Sequence, residues 1–183
     1  MKRIVLGITM AVATCTAASA QATPMGAAIT PALNQVENLI MGLAKAMPAD
    51  KYSFAPSQAI FVPSQKTEYS GVRTFGQLLI HVAQANYGYG QTIGTAKPSI
   101  DPKTLASLTT KDEIVAALAA SFEFEHAAFN SLSPDTAFVA NQRGQTPLSQ
   151  AAGEVGHVED EYGQLVEYAR MNGVVPPASM PKK

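Results

Sequence analysis

The chain is 183 residues long and carries 13 basic against 14 acidic side chains, a formal charge of −1, with no basic run. That balance argues against a nucleic-acid partner, whose phosphates call for a clustered positive face. Its single cysteine, Cys15, excludes a disulfide framework, and the length suits one domain whose core needs no staple.

The N-terminus reads as an export signal. Lys2 and Arg3 precede an apolar run from Ile4 through Ala13, and Ala18-Ser19-Ala20 forms a small-residue cleavage site. The run is too short to span a bilayer comfortably and has no stop-transfer pattern after it, so no stable membrane insertion is expected once it is cut. Val12-Ala13-Thr14-Cys15 loosely resembles a lipoprotein box, which leaves lipidation of Cys15 as an alternative. Residues 1–20 are thus assigned to a signal peptide and 21–183 to one domain, periplasmic or secreted. Cleavage after Ala20 removes the thiol and takes the 13 basic side chains to 11 against 14 acidic, a formal −3. The mature chain has no cysteine nucleophile and no thiolate ligand.

Four helical segments follow. Leu33, Val36, Ile40, Leu43 and Met47 recur in steps of three and four and predict a helix over about Ala32–Met47, ended by Pro48. The connection up to Gly71, about 25 residues, exceeds the usual helix-to-helix loop and predicts either a crossover or a wall over a site. Thr74 is an N-cap for the second helix, whose core face is Phe75, Leu78, Leu79, Val82 and Ala85. It is expected to fade in Tyr87-Gly88-Tyr89-Gly90, where the glycines signal fraying or close packing. Thr109 or Thr110 caps the third helix, in which Glu125 interrupts the apolar stripe of Ile114, Leu118, Phe122 and Phe129 before Ser133-Pro134. In the fourth, Thr146-Pro147 is a cap with proline at the first helical position, and Asn172-Gly173 is the stop. Leu148, Ala151, Val155, Val158, Tyr162, Leu165 and Ala169 give its apolar seam, flanked by the stripe Glu154, His157, Glu161, Gln164 and Tyr168. Four such helices predict an all-α four-helix bundle, whose interior is where facing helices build metal sites.

His157 and Glu161 stand at i and i+4 on one helix face, and His81 lies centrally in the second helix. Two imidazoles and a carboxylate hold a divalent transition metal from one side and leave positions open for water or substrate. Each member also has a purely structural reading: His81 as a hydrogen-bonded core histidine, and His157 with Glu161 as an i,i+4 surface pair worth about 0.2–0.5 kcal/mol. His126 is read as a surface or packing residue, Tyr162 as core, and Glu154 as a residue supporting the ligands from behind. Gln164 and Tyr168 are candidates for orienting substrate. No Gly-x-Ser-x-Gly elbow is present, and although Glu154 and His157 have the Glu-x-x-His spacing of a paired-carboxylate di-iron bundle, a mononuclear site is the expectation.

Val72-Arg73-Thr74-Phe75-Gly76 leading to His81-Val82-Ala83, then His157 with Asp160-Glu161-Tyr162-Gly163-Gln164-Leu165-Val166, and the ending Arg170-Met171-Asn172-Gly173-Val174-Val175-Pro176-Pro177, resemble the DinB/YfiT-like superfamily of metal-dependent enzymes. The resemblance covers essentially the whole mature chain. It implies a four-helix bundle with one divalent metal on three histidines, one from the second helix and two from the fourth, and a homodimer in some members. His81 and His157 match the first two positions; Glu161 stands where the third histidine is usual. Carboxylate is a competent ligand, and a two-histidine, one-carboxylate set suits zinc, iron(II) or manganese, with nickel a further option. The alternative is that the change marks a lost metal site. Relatives of this kind are hydrolases by analogy, or transferases and isomerases that use small thiols, and export argues against a cytosolic thiol here. The expectation is therefore an exported metal-dependent hydrolase or transferase of an unknown small molecule, with a non-catalytic binding or structural bundle as the rival.

Overall fold

A computed structural model describes residues 24–57, 60 and 68–181. The expected signal peptide and Cys15 lie outside the described residues. The protein is an all-helical bundle of α1 (Met25–Ala46), α2 (Phe75–Ile93), α3 (Lys111–Asn130) and α4 (Pro147–Met171). None of the described helices is long and apolar enough to cross a membrane.

Local chemistry sets most helix ends. Thr74, Thr110 and Thr146 each accept from the backbone N–H three residues on, while Gln77, Glu113 and Ser149 reach back to the cap. These reciprocal bonds satisfy two donors that the first turn leaves free. At the far end of α4, Gly173 has φ 73°, its N–H donates to Arg170 O, and the Val174 N–H donates to Ala169 O. That pairing satisfies the last carbonyls and turns the chain away.

Two boundaries differ from expectation. The first helix begins at Met25, seven residues early, with Pro31 inside it. Pro31 and Ala27, whose carbonyl loses a partner to the ring, are both exposed, so the missing bond falls on the solvent side of the helix. The early turns are held by close packing: a Cβ on Gly26 would lie 2.5 Å from Phe129 O. The second helix runs on through both glycines to Ile93. A Cβ on Gly90 would meet Phe124 Cε1 at 2.6 Å, so this glycine lets the Phe124 ring of α3 lie against the α2 backbone, and packing overrides its poor propensity.

Tertiary contacts give the topology. Lys111 Nζ at the start of α3 donates to Lys45 O and Met47 O at the end of α1, while Gly26 meets the end of α3, so these two are antiparallel. Gly76 faces Ile114 and Gly90 faces Phe124, so α2 and α3 run parallel. Arg73 O accepts from the Tyr168 hydroxyl, and Thr92 lies against Gln150, so α4 is antiparallel to α2. Each of α1 and α2 packs on both α3 and α4, which leaves α1 diagonal to α2.

Parallel α2 and α3 require the chain to travel back along the bundle between them. Residues 94–110 do so, with a 3₁₀ segment at Pro102–Ser107 packed on α2 through buried Leu105 and a bond from Gln84 Nε2 to Pro102 O. The crossover therefore lies here. The described part of the connection after α1 stays at one end, where the Tyr52 hydroxyl donates to Ala44 O and Tyr52 O accepts from the Gly76 N–H.

The core holds Phe75, Phe122, Phe129, Leu33, Ile40, Leu79, Leu118 and Leu165, all fully buried, each contributing about 1.5–3 kcal/mol by leaving water. On α4 the buried line is Ala151, Glu154, Val158, Glu161, Leu165 and Tyr168, with Ala169. The expected seam is thus corrected: Val155 and Tyr162 are only half-buried, and the stripe thought to flank the core supplies three of its central positions. Both lines have helical spacing, so periodicity alone did not separate them. The interior of the bundle is consequently acidic where it could have been apolar.

Candidate metal centre

His81 sits mid-helix on α2, and His157 and Glu161 sit one turn apart on the facing α4. Antiparallel packing of these helices brings all three ligand atoms together. His81 Nε2 lies 3.3 Å from His157 Nε2 and 3.5 Å from Glu161 Oε1, and His157 Nε2 lies 3.8 Å from that oxygen. Ligands bound at 2.0–2.2 Å in tetrahedral array stand about 3.4 Å apart. The triangle has the dimensions of one shared ion, and this His-His-Glu group could hold one.

Burial grades across the group. Glu161 is 6% exposed, while the histidines are half-buried, with His81 the more open. Burial, then the positive charge of Arg73, then His157 itself, hold the His81 imidazolium pKa below its ordinary value. Burial also lowers that of His157, with Arg73 acting in the same direction and Asp160 against. For Glu161 burial raises the pKa; Asp160 adds to this and Arg73 opposes it. Both imidazoles are therefore biased to the neutral form that ligates. Glu161 is a largely buried acid, and a cation held among the three residues would favour its ionised form.

Two atoms around the group, His157 Nδ1 and Glu161 Oε2, are buried with no hydrogen-bond partner among the described residues. The Tyr89 ring lies 6.0 Å from that of His157, and the Tyr168 hydroxyl donates to Arg73 O at 3.3 Å. On its open side His81 lines a cleft of about 310 Å³ with Arg73, Gln77, Ile80 and Gln84. A neighbouring cleft of about 340 Å³, framed by Asp50, Tyr52 and Ser53 of the connection after α1, contains none of the three ligand residues.

The other sequence candidates fall elsewhere. His126 Nε2 pairs with Glu37 Oε2 at 2.6 Å and ties α3 to α1, on the side away from α2 and α4. Gln164 is exposed and donates to Asp160 Oδ2. Tyr162 is half-buried, outside the central line.

Sequence reasoning missed a second acidic feature. Glu125 of α3 and Glu154 of α4 are fully buried, and burial together with their mutual repulsion drives the pKa of Glu125 well up; burial does the same for Glu154. Asn86, with its amide turned to donate, gives 2.7 Å to Glu154 Oε1 and 2.8 Å to Val82 O, and accepts from Ser121 Oγ at 3.0 Å. The available signal was Glu125 itself, a carboxylate at a core position of an otherwise apolar stripe.

No protein-family model matches the chain, and no curated protein matches it either.

Proposed function

We propose that this protein is an exported metal-dependent hydrolase or transferase that binds one divalent metal ion through His81 Nε2, His157 Nε2 and Glu161 Oε1. The observation that carries the reading is the triangle of ligand atoms, with edges of 3.3, 3.5 and 3.8 Å, assembled from two helices far apart in sequence. The motifs around His81 and His157, which resemble the DinB/YfiT-like superfamily, support the same assignment, with glutamate in the third position.

The donor set is nitrogen, nitrogen and oxygen, which suits zinc, iron(II) or manganese. A metal bound there would polarise a carbonyl or phosphoryl oxygen, or lower the pKa of a coordinated water. The residues supply the rest. His81 faces the cleft and sets where substrate approaches, Arg73 on the same wall places a positive charge beside the reacting group, and Gln77 Nε2 and Gln84 Oε1, on amides whose other atoms hold the α2 cap and Pro102 O, are left to orient a polar small molecule. Val158 and Leu165, one turn to either side of Glu161 on α4, are fully buried, which keeps that flank of the group apolar.

The rival is a binding bundle without metal, for which the cleft behind Tyr52 would be the pocket. It is disfavoured by Glu161, which points at His81 and not at solvent, where a surface carboxylate would be. Metal titration of the chelator-stripped chain tests the reading. One ion per chain in the wild type, lost in His81→Ala and in Glu161→Ala, is the expected result; no stoichiometric metal, or unchanged affinity in both variants, overturns it.

A further inference from the structure

Arg73 precedes the α2 cap, and Gln77, Ile80, His81 and Gln84 follow on one helix face at i, i+3, i+4 and i+7. That face runs under two clefts. The cleft at His81, about 310 Å³, and the cleft at Tyr52, about 340 Å³, share Gln77 and Ile80 as lining, so they are two compartments of one groove. The crossover walls both, through Ala106 in the first and through Leu108 and Thr109 in the second.

The compartments differ in chemistry. Arg73 is the one cationic side chain among the described residues that line either. Its carbonyl is held by the Tyr168 hydroxyl, while its guanidinium makes no ion pair or hydrogen bond with any described residue. The Tyr52 compartment has an apolar floor: Tyr52, Ile80 and Ile114 are largely buried beneath it, and the Tyr52 hydroxyl is turned away to Ala44 O. Its one acid, Asp50, is paired with Lys51 at 3.2 Å. At the junction, Gln77 Oε1 is tied to the Thr74 N–H, so the amide presents Nε2.

We infer that the groove takes an elongated, amphipathic anion, whose carboxylate or phosphate head pairs with Arg73 beside His81 and whose apolar tail crosses Gln77 into the Tyr52 compartment. The inference rests on the proposed metal centre for the chemistry done at the head. A divalent ion on two neutral imidazoles and one carboxylate leaves a net positive charge, to which Arg73 adds, so an anionic head is favoured there. Asp160, which accepts from Gln164, is the opposing charge on α4 and lines neither compartment. A guanidinium fork matches either oxyanion. Each methylene moved from water into the apolar compartment should tighten binding by about fourfold, so two buried methylenes exceed tenfold.

The test uses the full chain with one equivalent of Zn²⁺, titrated calorimetrically with octanoate, octyl phosphate, octanol and acetate. One octanoate or octyl phosphate per chain is expected, at least tenfold tighter than octanol or acetate; the tighter of the two identifies the head. Arg73→Gln should weaken the octyl anions at least tenfold and leave octanol unchanged. Ser53→Trp, at an exposed position on the rim of the Tyr52 compartment, should weaken the octyl anions and leave acetate unchanged. Thr109→Trp, exposed on the opposite wall, serves if that variant fails to fold. Octyl anions that bind no tighter than octanol, that are held equally well by Arg73→Gln, or that ignore a folded tryptophan variant overturn the inference. Elemental analysis of the same samples reads zinc separately. A chain that takes up no zinc yet binds octyl anions through Arg73 would defeat the proposed function and leave the groove standing.

Discussion

His81 Nε2 and Glu161 Oε1 face each other at 3.5 Å across the α2 and α4 interface, with His157 Nε2 closing the triangle. The separation is long for a strong charge-assisted hydrogen bond and right for two ligands of one ion.

Removing one corner should uncouple metal from fold. Glu161→Gln keeps size and shape but loses the anionic oxygen, so metal affinity should fall by more than about 100-fold, beyond the 10–100-fold typical of supporting residues. Calorimetric titration measures it. Glu161→His should instead retain stoichiometric metal, because a third imidazole is as competent a ligand.

Metal should stabilise the chain by mass action. At a free concentration 100-fold above Kd the gain is about 2.7 kcal/mol, which for a domain of this size raises Tm by about 5–10 °C. Scanning calorimetry with and without chelator checks this, and His157→Ala should abolish the shift.

The acid pair in the core gives a pH dependence with a definite sign. Glu125 is pushed from 4.5 to about 9 and Glu154 to about 8. Between pH 4.5 and these values the folded chain holds protons that the unfolded chain has released, so stability falls as pH rises. Chelator-treated protein should lose at least about 1–2 kcal/mol between pH 5 and 8. Urea unfolding across that range measures the slope, and the double substitution Glu125→Gln with Glu154→Gln should flatten it.

Two glycines on α2 should respond in opposite ways. Gly90→Ala drives a methyl into the Phe124 ring, at 2.6 Å, and should cost about 1–3 kcal/mol. Gly88→Ala meets nothing within 4 Å and should stabilise by about 0.4–1 kcal/mol through helix propensity and a less flexible unfolded chain. Thermal melts of both variants distinguish close approach from fraying.

Much of this arrangement could be read from residue order because its causes are local. The threonine caps and the glycine stop of α4 act within one turn, and the bundle follows from four apolar stripes. His157 and Glu161 were paired by i,i+4 spacing, and His81 by its place mid-helix. What escaped depends on partners distant in the chain. The helix starts at Met25 because Gly26 lies against Phe129 O of α3; the crossover lies at 94–110 because α2 and α3 run parallel; and Glu154 is central because α4 turns that stripe inward. No window along α4 distinguishes Glu154 from a solvated glutamate, since its burial is decided by Asn86 and Glu125 on other helices.

His81 and His157 are separated by 76 positions along the chain, with the whole of α3 and the crossover between them. Closing so long a segment is entropically unfavourable, by roughly (3/2)RT ln n, before any contact between the two repays it. The ligand set therefore cannot exist in the nascent N-terminal half, and forms only when α4 docks. Capture of an ion by this group would then be a late event in maturation, and chains cut short before α4 should take up none.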